Sequence, residues 1–279
     1  MKMKMNSNIR SDMKRLRNIK LMAAIAASFL CLCSCVLEDR DPCPCWLSFK
    51  LGDCPESVES VEIYGWRDNT IFSGTKTTDE SHPEAYEWSV EKGIVQTCVY
   101  SGIRNTYVDD YRVIIPEGYQ MDSLYVHRNE VLCEDEFAVD SVVLHKEWVE
   151  VRIRLEIENK SYTPSMEEYS FLVVSDIVGF DMLNEQPVYG MYRYTPTLDS
   201  NGCLILRLPR HKRGAKNLFL DVFMNGVQID RIALGLALEL DGFDWEGDSL
   251  DNIGLHINIT NKNTVLEVLP WEDLGGDNV

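Results

Sequence analysis

Nine cysteines, five histidines and one run of closely spaced acids are what this chain offers to chemistry, and spacing decides what each can do. The histidines (His82, His127, His145, His211, His256) are scattered, with no pair at the separation that turns two imidazoles toward one metal. No Gly-x-Ser-x-Gly elbow, phosphate-binding loop or Gly-x-Gly-x-x-Gly turn occurs. The run Asp241-Gly-Phe-Asp244-Trp-Glu246-Gly-Asp248-Ser-Leu-Asp251 sets out acids that could hold calcium. It lacks the glycine and closing glutamate of an EF-hand loop, so an acidic loop between strands is the simpler reading. Arg207, Arg210, His211, Lys212 and Arg213 form the one basic cluster of the body. They read as the cap of a hairpin among acidic neighbours, with a lipid headgroup or partner contact as the alternative. The expectation is a protein that is not an enzyme, with no catalytic residue, bound metal or cofactor.

The cysteines have more context. A basic region ending at Lys20 is followed by an apolar run from Leu21 to Leu32, closed by Leu32-Cys33-Ser34-Cys35. Twelve residues are too few to span a bilayer, which takes about 20, so residues 1–34 read as a secretory signal. Met13 could itself serve as the start, because MKRLRNIK is already a complete basic region. The closing tetrapeptide resembles the lipobox of bacterial lipoproteins, with leucine at −3, a small residue at −1 and cysteine at +1. Cys31 and Cys33 fit worse, since bulky leucines precede them. The resemblance makes Cys35 the thiol that takes a diacylglyceryl group and holds the chain to a membrane. One acyl chain binds only marginally; the three chains of bacterial lipoproteins make attachment effectively permanent.

Six cysteines remain beyond Cys35: Cys43, Cys45, Cys54, Cys98, Cys133 and Cys203. Export to an oxidising compartment suits them to disulfides, but six allow 15 pairings and the sequence does not choose. Cys43-Pro44-Cys45 is neither a redox Cys-x-x-Cys nor a zinc ribbon. We expect one or two bridges near the start of the globular part and a buried thiol at Cys203.

The elements that position these residues read as strands. Residues 148–158 place Val149, Val151, Ile153, Leu155 and Ile157 on one face and Glu150, Arg152, Arg154 and Glu156 on the other. That alternation means a half-buried strand, expected in an antiparallel sheet with one face in water. Weaker alternation marks 46–51, 59–66, 94–100, 106–115, 121–127, 169–174, 188–194 and 203–208. Two alternating runs meet at Asn225-Gly226, a type I′ hairpin signal. A last pair, 253–260 and 264–269, flanks Asn261-Lys262-Asn263. A dozen short strands exceed one sandwich. The expectation is all-β: a tether over 35–45, one sandwich over 46–143 and a second over 144–279.

Charge narrows the partners. Without its first 34 residues the chain carries 20 basic against 44 acidic groups, a net −24. Such a body repels phosphate backbones, so no nucleic-acid partner is expected.

Together, these features resemble the FimB/Mfa-type fimbrial anchor lipoproteins of Bacteroides-group bacteria. The matching parts are the lipobox, the acids and Cys-Pro element that follow it (Cys35-Val-Leu-Glu-Asp-Arg-Asp-Pro-Cys43-Pro), the all-β body and the closing hairpin INITNKNTVLEVLPW from Ile257 to Trp271. Acids soon after the lipid are also similar to the export signal of surface-displayed lipoproteins in that group. A solvated tether accounts for the same charges equally well. The resemblance implies two tandem transthyretin-like sandwiches, an outer-membrane location and a place at the base of a fimbrium. Its partner would be a shaft subunit, held by strand exchange. The candidate donor is the C-terminal segment from Thr264, its strand formed by Thr264, Val265, Leu266, Glu267, Val268 and Leu269. The tail after Trp271 is short for a donor, which leaves the direction of exchange open. A second reading is a surface lipoprotein that binds glycan or another host ligand, with Trp66, Trp88, Trp245 and Trp271 as a sugar platform.

Overall fold

The structure, a computed structural model, describes residues 43–274 except 53, 56, 79–85, 164–165, 167, 200–201, 241 and 261–262. The signal, Cys35 and the first part of the tether lie outside the described residues. Those that are described form four β-sheets and one short helix, α1 (Leu234–Leu240). The all-β expectation is borne out.

The first sheet has three strands: β1 (Cys45–Leu51) lies between β4 (Glu87–Val90) and β9 (Phe137–Val142). A second sheet runs from β10 (His145–Lys146) through β8 (Tyr125–Cys133), β5 (Gly93–Ser101) and β2 (Ser60–Trp66) to β3 (Thr70–Thr77). Leu47, Phe49, Val61, Ile63, Val95, Val99 and Val131 fill the space between them as one apolar cluster.

The third and fourth sheets enclose a larger cluster. One is ordered β15 (Thr197–Leu198), β16 (Cys203–Pro209), β11 (Trp148–Ile157), β19 (Ile253–Ile259) and β20 (Thr264–Leu269), with β12 (Lys160–Ser161) also on β11. The other is ordered β18 (Val227–Ile232), β17 (Phe219–Met224), β13 (Tyr169–Asp181), β7 (Arg112–Ile114) and β6 (Tyr107–Asp109), with β14 (Gln186–Tyr194) also on β13. Val151, Ile153, Leu206, Leu220, Val222 and Ile257 are fully buried between them. Cys98, Tyr100 and Val126 of the second sheet join this cluster, so that sheet contributes to both cores.

Three expectations need correction. Residues 106–115 are not one strand but a hairpin, β6–β7, turned by Asp110 and Tyr111, both at positive φ (46° and 62°). Its second strand pairs with β13, so a segment from the first half of the chain completes a sheet of the second. The strand expected at 121–127 begins only at Tyr125. The alternating strand β11 is not in a purely antiparallel sheet: it is antiparallel to β16 but parallel to β19. Its charged face is partly open to water: Arg152, Arg154 and Glu156 are half-buried, and Glu150 is buried between Arg152 (3.0 Å) and Arg207 (3.1 Å). The Asn225-Gly226 hairpin is as expected, with φ of 51° and 77° joining β17 to β18.

Candidate functional site: two open edges at the C-terminus

Strand β20 forms because Thr264, Val265 and Val268 are β-branched and the run alternates in burial. Its register on β19 runs from Ile259↔Thr264 to Gly254↔Leu269. Leu266 and Val268 pack on the larger core, while Val265 stands 52% exposed and Glu267 faces water. Among the described residues nothing pairs with its outer edge. The expected donor strand is thus held in its own sheet, and what it offers outward is an edge.

The chain then turns back and fastens that strand. Pro270 ends it, and a 3-10 turn over Trp271–Leu274 tucks Leu274 into the protein at 1% exposure. Gly254 makes room: a Cβ there would lie 2.6 Å from Leu274 Cδ1. The Arg152 guanidinium stacks 4.6 Å over the Trp271 ring, and Arg154 donates to the Asp273 carbonyl at 2.8 Å.

A second open edge lies beside the first. β18 ends the facing sheet and exposes Val227 and Ile229. The Thr264 hydroxyl donates to the Asp230 carboxylate, stitching the two edges together. Arg231 lies back over its own sheet, with Nε and Nη2 donating to buried Asp221 at 2.6 and 2.8 Å and its guanidinium above Phe219. Apart from Asp230, Arg231 and Glu267, these edges carry few of the charges that normally blunt strand pairing.

The remaining candidates are placed as follows. Arg210 faces inward: it pairs with buried Glu147 and donates to the carbonyls of Trp245 (2.8 Å) and Gly247 (2.7 Å). Burial pushes the Glu147 carboxyl up against the pull of Arg210. His211 is buried beside Ser175 (3.0 Å) and the Pro209 carbonyl (2.8 Å), and that burial pushes its pKa down to about 4. Arg213 faces Asp244 and Glu246 at 3.7 and 3.9 Å. Of the basic cluster only Arg213 faces acids of the loop, and among the described residues no three potential ligands gather for a metal. A cavity of about 480 Å³ opens beside Glu147, Arg210 and Trp245. Glu147 and Arg210 on its wall are engaged in these internal bonds.

The tryptophans do not form a platform. Trp66 and Trp245 are buried, Trp88 stacks on Phe72 at 4.8 Å, and Trp271 lies under Arg152. The tryptophan left open is Trp46, 43% exposed at the start of β1. Alternation alone did not reveal which aromatics turn inward.

Similar folds occur in solved structures. The fimbrial anchor protein Mfa2 from Porphyromonas gingivalis superposes with a TM-score of 0.62 at 13% identity, over 82% of this chain and 98% of that one. A polysaccharide-binding candidate from Bacteroides thetaiotaomicron gives 0.62 at 14%, over 83% and 99%. An adhesin candidate from the same organism gives 0.61 at 16%, over 84% and 98%. This chain has their fold. No family model matches the sequence, and no curated protein matches it. The likeness therefore rests on the fold alone, which spans nearly the full length of those structures.

Proposed function

We propose that this chain is an outer-membrane lipoprotein that anchors a fimbrium at the cell surface, held in the membrane by acylated Cys35. The observation that carries the reading is the pair of stitched, outward-facing edges β18 and β20, on a fold shared with a fimbrial anchor. A shaft subunit's strand would add along Thr264–Leu269, gaining main-chain hydrogen bonds for affinity and side-chain contacts at Val265 for register. The tether from Cys35 to Trp46 reaches at most about 40 Å when extended. Such a length keeps the body near the membrane, as suits a base subunit. A division into domains at 143/144 belongs to the same proposal, with the β6–β7 hairpin reaching across it. The glycan reading loses its motive, because two of its four tryptophans are buried.

The test compares fimbrial protein in the medium with that in the cell pellet. Deleting the gene should release polymerised fibres into the medium, and Cys35→Ala should do the same while abolishing labelling by a palmitate analogue. Truncation before Thr264 should leave a lipidated protein that no longer retains fibres. Full retention in the gene deletion would overturn the anchor reading. Retention in the truncation alone would move the contact away from β20.

A further inference from the structure

The register of the two N-terminal sheets brings two cysteines together that lie far apart in sequence. Cys45 is the first residue of β1 and pairs with Val90, the last residue of β4. Cys133 is the last residue of β8 and pairs with Gly93, the first residue of β5. Only Glu91 and Lys92 separate Val90 from Gly93, so the β4–β5 corner sets the two cysteines opposite each other across the sandwich. Arg67 holds that corner shut, donating to the carbonyls of Ile94 (3.0 Å), Glu91 (3.1 Å) and Lys92 (3.3 Å). A second corner agrees: the Trp46 amide donates to the Glu136 carbonyl at 2.8 Å, tying the residue after Cys45 to the chain just beyond Cys133. Both side chains point into the same core at 0% exposure, and they are neighbours there, although the described cysteines are all unbridged in this structure.

We propose that Cys45 and Cys133 form an inter-sheet disulfide in the mature protein. The oxidant is an oxidised dithiol protein of the envelope. One cysteine thiolate attacks its disulfide to give a mixed disulfide and expel one partner thiolate. The second cysteine then displaces the other partner sulfur. The chain loses two protons and two electrons, and the partner leaves as a dithiol. Burial, with the neighbouring Cys45 thiol, lifts Cys133 to about 11, so little thiolate forms in the folded core. Both cysteines are at 0% exposure once folded, so the bridge is made while the chain is folding, and afterwards no reductant reaches it without unfolding.

Its mechanical consequence rests on the anchor reading. Cys45 is where the tether enters the body, so load carried to the membrane passes first into β1. Without a bridge that load falls on four residue pairs to β4 and six to β9. With it, the load passes directly into β8, which is paired with β5 over nine positions within the second sheet.

The experiment uses the full chain isolated from envelopes, denatured with a thiol-blocking reagent present and digested without reductant. A linked peptide pair containing Cys45 and Cys133, separating after reduction, is the expected result. Complete blocking of both thiols, or either cysteine linked elsewhere, would overturn the bridge. Cys133→Ala then tests the load path under calibrated shear. Fibre loss rising above wild type, with Cys35 lipidation unchanged, supports it, and unchanged loss removes it while the linked peptide stands. If gene deletion itself leaves fibres attached, the anchor reading fails, and the peptide still decides the bridge.

Discussion

The two apolar cores are built differently. The C-terminal core is the larger and mixes aliphatic with aromatic side chains, and carboxylates at its border are paired: Glu150 between two arginines, Glu147 with Arg210, and Asp221 with Arg231. The N-terminal core is smaller and has a charged group at its centre. Asp140 of β9, at 0% exposure, accepts from the Thr97 hydroxyl (2.6 Å), Asn129 Nδ2 (2.8 Å) and His127 Nε2 (3.1 Å), all on strands of the facing sheet. Burial alone would raise that carboxyl, but these hydrogen bonds outweigh it and hold it below the ordinary range. A small sandwich buries too little area to fix its sheets by apolar contact alone, and directional bonds between sheets supply the register. In the larger core the comparable buried polar contact, Ser175 with His211 at 3.0 Å, lies just beyond the end of β16.

The sharpest way to break this contrast is Asp140→Ala. It strands buried Thr97 and His127, with Asn129, without their acceptor and should cost about 3–5 kcal/mol, measured as a shift in urea midpoint. Asp140→Asn keeps the shape and should cost less. A loss below about 1 kcal/mol for the alanine variant would mean that the aspartate does not hold the sheets together.

Acid titration separates the two regions by sign and window. His211 keeps its proton off in the folded state until about pH 4, whereas the unfolded chain takes one up near 6.5. Between those values the unfolded state binds more protons, so stability falls as pH drops from about 6.5 to 4, by roughly 3 kcal/mol. Asp140 acts lower. Its folded pKa is depressed, so its contribution is present above the ordinary aspartate value and disappears as pH falls through the folded one. Melting temperature against pH should therefore lose its upper slope in His211→Gln and its lower slope in Asp140→Asn. An upper slope that survives in His211→Gln would assign it to another group.

A smaller effect tests the local turn. Gly226 sits at φ 77° with open space where a Cβ would project, so Gly226→Ala meets no clash and isolates backbone strain. A cost of about 1–2 kcal/mol in urea unfolding is expected. This turn was legible in the sequence because Asn-Gly is nearly the sole chemistry for two successive left-handed residues. The β6–β7 turn was not, since Asp110-Tyr111 reaches the same conformation without glycine and the flanking residues still alternate. The alternation of β11 revealed which face is buried, but not that β19 runs parallel to it, because neighbour direction leaves no mark on one strand's pattern. At the C-terminus, 264–269 was legible as a strand. Its place at an edge depends on sheet order, which only long-range pairing decides. Tryptophan burial and the contact of Cys45 with Cys133 are likewise products of register, invisible to local spacing.

The smallest stability effect carries the functional end of the comparison. Val265 is exposed on an edge strand, so Val265→Lys removes no buried contact and should change folding stability by no more than about 0.5 kcal/mol. A lysine on an open edge nonetheless disfavours pairing, since an incoming strand must desolvate the ammonium or steer around it. If a shaft subunit pairs along β20, this variant should be lipidated, folded and present at wild-type level, yet shed fibres into the medium. Val139→Lys supplies the control, because Val139 is comparably exposed, on β9 at an edge of the first sheet. Shedding by the Val265 variant alone would localise the contact to the C-terminal edges. Equal shedding by both would mean that added charge, rather than strand pairing, disturbs retention. No shedding by either would return the contact to a surface other than these edges.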